Sequence, residues 1–80
     1  MPTQNPKPCP QRLRLGKNVA ALRKKCGLTQ EKLAEEIGVS AWYVQAVERG
    51  VNFPSLPILG KIKTILECSW NRLFEDCEKP

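Results

Sequence analysis

The segment from Gln30 to Arg49 constrains the fold more than any other part of this 80-residue sequence. Gly38 divides it into two short segments, and glycine permits the positive φ that a tight turn requires. Ala34 is small enough to let two helices cross closely at that point. Apolar residues at helical spacing anchor both segments, namely Leu33, Ile37, Val39, Val44 and Val47. Together these features predict a helix-turn-helix arrangement.

The rest of the sequence after the first ten residues also has helical periodicity, without a period-two segment long enough for a strand. Leu15, Val19 and Leu22 form one apolar stripe, which predicts a first helix over residues 11–26. Further helices are expected after four N-cap candidates, Thr29, Ser40, Ser55 and Ser69. The prediction is an all-α fold of five short helices, forming one domain over residues 11–80. Four prolines within residues 1–10 predict a flexible N-terminal arm.

Charge is distributed unevenly along the chain. Residues 1–27 contain seven basic residues and no acidic residue, whereas residues 28–80 contain six basic and eight acidic residues. This asymmetry favours an anionic partner, with nucleic acid as the first expectation and a membrane surface as the second. A solvated basic helix without such a partner is the alternative.

The four cysteines do not have the spacing of a zinc site. They are widely separated in sequence, and the chain contains no histidine. Disulfides are not expected in a cytosolic protein. We expect Cys26 and Cys68 to pack as small apolar side chains, and Cys9 and Cys77 to be exposed thiols near the chain ends.

Several other functional classes are disfavoured. No apolar run approaches the roughly 20 residues that span a bilayer, and no signal peptide is visible, so we expect a cytoplasmic protein without a membrane partner. The lack of histidine, of a base near any cysteine and of a glycine-rich phosphate loop argues against an enzyme. We also expect no cofactor, no metal and no small-molecule ligand.

Beyond these physical arguments, the sequence resembles the lambda-repressor/Cro-type helix-turn-helix family, also called the XRE family. The resemblance covers roughly residues 14–74 and is carried by "LGKNVAALRKKCGLTQEKLAEEIGVS", "VQAVERG", "PSLPILGKI" and the closing "LF". It implies a five-helix fold whose third helix enters the major groove of double-stranded DNA. The expected function is therefore that of a sequence-specific transcriptional regulator, with helix 3 at about residues 41–49.

The resemblance also assigns roles to individual residues. Arg23 and Glu48 match a partly buried ion pair that ties the first helix to the third. Gln30 matches a glutamine that touches a phosphate or braces a base-reading side chain, and Tyr43 a position that often contacts phosphate. The positions that face base edges in the family correspond to Ala41, Trp42, Gln45 and Ala46. Further phosphate candidates are Arg49, Asn52, Lys17 and Lys61.

The C-terminal end is expected to form a homodimer, as it does in many relatives. The candidate interface residues are Trp70, Leu73 and Phe74, and simple core packing is the alternative. Gly60 and Lys63 depart from the family pattern in the fourth helix, and Trp42 departs from it in the third. An exposed tryptophan is a typical protein-contact residue, so the alternative function is a protein-interaction module such as an antitoxin or an adaptor.

Overall fold

Five helices account for most of residues 10–77, the part of the chain that the computed structural model describes. They are α1 (Pro10–Lys25), α2 (Gln30–Ile37), α3 (Ala41–Glu48), α4 (Leu56–Ile65) and α5 (Trp70–Leu73). The predicted all-α, five-helix fold is confirmed. The predicted arm and Cys9 lie outside the described residues, apart from Pro10, which is the first residue of α1.

Three of the four predicted N-caps form the expected hydrogen bond. The side chains of Thr29, Ser40 and Ser69 each accept a hydrogen bond from the backbone N–H three residues later, which satisfies one free donor of the first helical turn. Ser55 occupies the N-cap position of α4, but its side chain makes no capping bond. Pro57, the second residue of α4, reduces the need for one, because proline has no N–H to satisfy.

Helices α1, α2 and α4 are each followed by a residue in the left-handed backbone conformation. Gly38 has φ of 91° and closes α2, as the sequence predicts. After α1 and α4 the chain makes the same type of turn, with Leu28 N bonded to Arg23 O and Cys68 N bonded to Lys63 O. The left-handed residue is glycine in the first turn, Gly27, whereas the second turn places Glu67 there with φ of 53°. The end of α4 therefore carries backbone strain that the end of α1 does not.

One hydrophobic core joins all five helices. Its buried members include Leu15, Val19, Leu22, Leu33, Ala34, Ile37, Val44, Leu59, Ile62, Leu66 and Leu73. The inner faces predicted for the first three helices are thus among those that pack together. Because α3 is only eight residues long, its position depends on this packing rather than on its own helical stability.

Two residues of α1 fix its neighbours at close range. A Cβ built on Gly16 would fall 2.5 Å from the Val47 carbonyl oxygen, so the backbones of α1 and α3 touch there. The buried Asn18 donates from Nδ2 to the carbonyl oxygens of Leu73 and Glu75, both at 2.9 Å, and so ties α1 to the end of α5. Both residues stand beside or within the apolar stripe of α1.

The cysteines differ from the sequence-based expectation. Cys26 was expected to be buried but is exposed, because it lies in the turn that follows α1. Cys77 was expected to be exposed but is buried, because the turns after α5 fold it back onto the core. Cys68 is half-buried and packs against the core.

Candidate nucleic-acid interface

The carboxylate of Glu48, at the end of α3, is held by an arginine from α1. Arg23 Nε lies 2.6 Å from Glu48 Oε2 and Arg23 Nη2 lies 3.2 Å from Glu48 Oε1. Their side chains are only 9% and 7% exposed, respectively. Arg23 Nη1 also donates to the carbonyl oxygen of Leu28 at 2.7 Å. This ion pair is the one that the family resemblance implies, and it fixes the end of α3 against α1.

Gln30, the first residue of α2, donates from Nε2 to Glu48 Oε1 at 2.9 Å. The half-buried Gln30 therefore braces α3 through Glu48, rather than through a base-reading side chain. This bond joins the first residue of α2 to the last residue of α3.

The two faces of α3 have different environments. Val44 and Val47 are buried in the core, as predicted. On the other side Trp42 is 68% exposed, Arg49 is exposed at the helix end and Gln45 is half-buried. Ala41 is half-buried and packs partly against the core. The outward face of α3 thus combines an aromatic ring, an amide and a cation.

Ala46 does not lie on that outward face. It is only 4% exposed, because helix rotation places it beside Val47 and within the protein interior. The sequence comparison placed Ala46 among the base-facing residues, at the margin of the face. The structure leaves its methyl group without a surface to offer a partner.

The phosphate candidates differ in how exposed they are to solvent. Lys17 on α1 and Arg49 are exposed, whereas Tyr43 and Asn52 are half-buried. Lys61 Nζ donates to the carbonyl oxygen of Ile37 at 3.3 Å, so this cation also satisfies the C-terminal end of α2.

The C-terminal candidates separate into surface and core. Leu73 is 0% exposed and belongs to the core of its own chain, so it has no surface for a second copy. Trp70 is exposed and stacks on the half-buried Phe74, with ring centroids 6.1 Å apart. Lys63 Nζ lies 5.6 Å from the centroid of the Trp70 ring, on the same surface. Of the three candidates, Trp70 and Phe74 form an aromatic surface at the C-terminal end of the described chain.

Within residues 10–77 no group of three or more potential ligands is placed to hold a metal ion. No helix in the same range is long and apolar enough to cross a bilayer.

A helix fixed to a second short helix by a tight turn, with its outer face open, defines a helix-turn-helix domain. A family model described as "Helix-turn-helix" matches residues 19–73, more than half of the chain. The chain belongs to this helix-turn-helix family, of the lambda-repressor/Cro (XRE) type.

Similar proteins of known name are regulators. The HTH-type transcriptional regulator SlrR of Bacillus subtilis is 37% identical over 62 residues, covering 76% of this chain and 41% of SlrR. The chain spans about half the length of the first curated relatives it matches. It also resembles the restriction-modification controller protein C.AhdI from Aeromonas hydrophila, with a TM-score of 0.73 and 37% identity over 78% of this chain and 94% of that one.

Two solved structures of SinR are similar as well. SinR in complex with DNA gives a TM-score of 0.70 and 31% identity, covering 76% of this chain and 98% of that one. SinR in complex with the SinI protein gives a TM-score of 0.72 and 29% identity, covering 81% of this chain and 64% of that one.

Proposed function

We propose that this chain binds double-stranded DNA by placing α3 in the major groove, and that it acts as a sequence-specific transcriptional regulator. The observation that carries the proposal is the contrast within α3. Its end is fixed by Arg23 and Gln30 through Glu48, while Trp42 and Arg49 on its outer face are exposed. A rigid helix with an open polar and aromatic face suits the width of the major groove.

Base reading is assigned to Gln45, Trp42 and Ala41. The Gln45 amide can form two hydrogen bonds with the edge of adenine. Trp42 offers a broad apolar surface to thymine methyl groups and one indole N–H. Ala41 offers a methyl group beside Trp42 at the start of the helix. Ala46 is left out, because it is buried.

Phosphate contacts are assigned first to the exposed cations Lys17 and Arg49. Tyr43 within α3 supplies a hydroxyl, and Asn52 in the segment after α3 supplies an amide. Gln30 and Lys61 are secondary candidates, because each already bonds to a protein oxygen. Each phosphate that is neutralised steepens the salt dependence of binding by about 0.9 in a log–log plot.

Binding-site selection from a random DNA pool tests the proposal, followed by shift assays of the enriched sequence over a salt series. We expect a short enriched motif and affinity that falls as salt rises. The variants Lys17→Ala and Lys25→Ala form a matched pair on α1, since both remove one exposed lysine. Lys17→Ala should reduce the salt slope by about one unit and Lys25→Ala should leave it unchanged.

We also propose a homodimer formed by the aromatic surface of Trp70 and Phe74, with two half-sites about one helical turn apart in the DNA. Sedimentation over a concentration series tests it. Trp70→Ala should weaken association, whereas Leu56→Ala, which removes an exposed apolar side chain from α4, should not. A protein that is monomeric at high micromolar concentration would contradict the dimer.

The second candidate function is a protein-interaction module, such as an antitoxin or an adaptor. It is favoured by the exposure of Trp42 and by the similarity to SinR in complex with SinI. A chain that fails to retard genomic DNA fragments at low salt but retains one protein in a pull-down would support this function. In either case we propose a cytoplasmic protein without enzymatic activity.

A further inference from the structure

Two cysteines that are 42 residues apart in sequence line the same groove of the surface. Cys26 lies in the turn that follows α1, and Cys68 follows the turn that ends α4. Both line an open groove of about 350 Å³, together with Lys25 and Arg72. Cys26 Sγ lies 3.6 Å from the carbonyl oxygen of Leu66, only two residues before Cys68. The turn after α1 is therefore in direct contact with the segment that carries the second thiol.

The two thiols differ in accessibility. Cys26 is exposed, whereas Cys68 is half-buried, with Sγ 4.0 Å from the carbonyl oxygen of Lys63. Burial raises the pKa of the Cys68 thiol and the neighbouring Cys26 raises it further, while Lys63 and Arg72 act in the opposite direction. Cys26 is thus the thiol that a solvent-borne oxidant reaches first. The less accessible Cys68 is the second thiol.

We propose that Cys26 and Cys68 form a reversible intramolecular disulfide, which makes this groove a redox modification site on the surface of the domain. The inference does not depend on DNA binding, because it concerns the α1–α2 turn and the α4–α5 loop. Disulfides in reducing compartments are usually transient and redox-sensing, which matches an exposed thiol beside a half-buried one.

The proposed oxidant is hydrogen peroxide. The Cys26 thiolate attacks one oxygen of hydrogen peroxide, the O–O bond breaks, and Cys26 becomes a sulfenic acid as hydroxide leaves. Cys68 then attacks the sulfenic sulfur, the S–O bond breaks, and the departing hydroxide takes the Cys68 proton to form water. Overall two thiols lose two protons and two electrons, and one peroxide becomes two waters. A dithiol reductant reverses the link by thiol–disulfide exchange.

Cys77 provides an internal comparison. It is only 6% exposed and belongs to the core, so peroxide does not reach it while the domain is folded. Among the described cysteines, oxidation of the native chain should therefore be confined to the Cys26 and Cys68 pair.

The experiment treats the full chain with hydrogen peroxide and then maps its peptides by mass spectrometry without reduction. We expect a cross-linked peptide containing Cys26 and Cys68, which disappears after dithiothreitol is added. The melting temperature of the oxidised chain should rise by about 10 °C or more, because the link closes a long loop in the unfolded state. A Cys9→Ser/Cys77→Ala background should give the same product.

Cys26→Ser and Cys68→Ser are the blocking variants. Each should abolish the intramolecular link, and Cys26→Ser, which changes an exposed side chain, should leave the melting temperature of the reduced protein unchanged. The proposal is overturned if peroxide leaves both thiols open to alkylation, if it yields only links between chains, or if Cys26 pairs with another cysteine. These outcomes are read from the wild-type chain, so they do not require any variant to fold.

Discussion

Gln30 and Glu48 are joined by a hydrogen bond of 2.9 Å from the Gln30 amide to a carboxylate that also receives two bonds from Arg23. One carboxylate therefore connects α1, α2 and α3. The hydrogen bond joins the start of α2 to the end of α3, and the ion pair joins the end of α3 to α1. The position of α3 thus depends on Arg23, Gln30 and Glu48, none of which belongs to its exposed outer face.

Removal of the Glu48 carboxylate should destabilise the domain strongly. Glu48→Ala leaves the buried Arg23 guanidinium unpaired, which costs about 3–5 kcal/mol of unfolding free energy. Gln30→Ala removes a single hydrogen bond and should cost about 1 kcal/mol. Urea denaturation followed by circular dichroism measures both changes.

Lys32 provides the control for this comparison. Its ion pairs with Glu35 and Glu36 are exposed, so Lys32→Ala should change the unfolding free energy by less than about 0.5 kcal/mol. A double variant that replaces Arg23 and Glu48 by Met and Leu should recover most of the lost stability. Equal losses for Glu48→Ala and Lys32→Ala would contradict the role assigned to the buried pair.

Two helical glycines should respond to alanine in opposite directions. Gly16→Ala drives a Cβ into the α3 backbone and should cost about 1–3 kcal/mol, because neither helix backbone can yield without loss of packing. Gly60→Ala adds a Cβ where nothing lies within 4 Å, and should stabilise α4 by about 0.5–1 kcal/mol. Thermal unfolding of the two variants gives the sign directly. A stabilised Gly16→Ala would show that α1 and α3 are not in backbone contact.

Trp42→Ala separates the two candidate functions. Because the ring is mostly exposed, the unfolding free energy should change by less than about 0.5 kcal/mol. If α3 reads DNA, affinity should fall at least about tenfold and the selected sequence should change at the position that Trp42 contacts. Unchanged DNA affinity together with loss of a protein partner would favour the interaction module. Leu56→Ala, at another exposed apolar residue, controls for a general surface effect.

The left-handed residue at the end of α4 offers a stabilising substitution. Glu67→Gly relieves the strain of a positive φ and should raise the unfolding free energy by about 1 kcal/mol. Gly27→Ala makes the opposite change in the equivalent turn after α1, since it places a side chain on a residue with positive φ. A Cβ there meets nothing within 4 Å, so its expected loss of about 1 kcal/mol comes from the backbone alone. Loss of stability in Glu67→Gly would contradict this interpretation.

The features that were predictable from sequence are local ones. Thr29, Ser40 and Ser69 act as caps because a short hydroxyl at that position needs only the next turn of its own helix. The apolar stripes fixed which faces meet, and the glycine at position 38 fixed the turn of the helix-turn-helix. These signals depend on residues within a few positions of each other.

Two of the errors concern residues whose environment is set by distant parts of the chain. Cys77 is buried by turns that follow α5, and Leu73 is buried by α1, neither of which periodicity in a four-residue helix can indicate. Asn18 was missed although a signal exists. It lies three residues after Leu15 and four before Leu22, so a polar side chain on the apolar face of α1 required a buried partner. The contacts proposed for α3 depend on the partner as well as on this chain, so the sequence alone does not define them.

The bonds from Asn18 to the carbonyl oxygens of Leu73 and Glu75 also determine when the domain can form during synthesis. Residues near both limits of the described chain close the same core, so this core is incomplete until residues 73–77 have left the ribosome. Folding of the completed domain must therefore follow translation of α5.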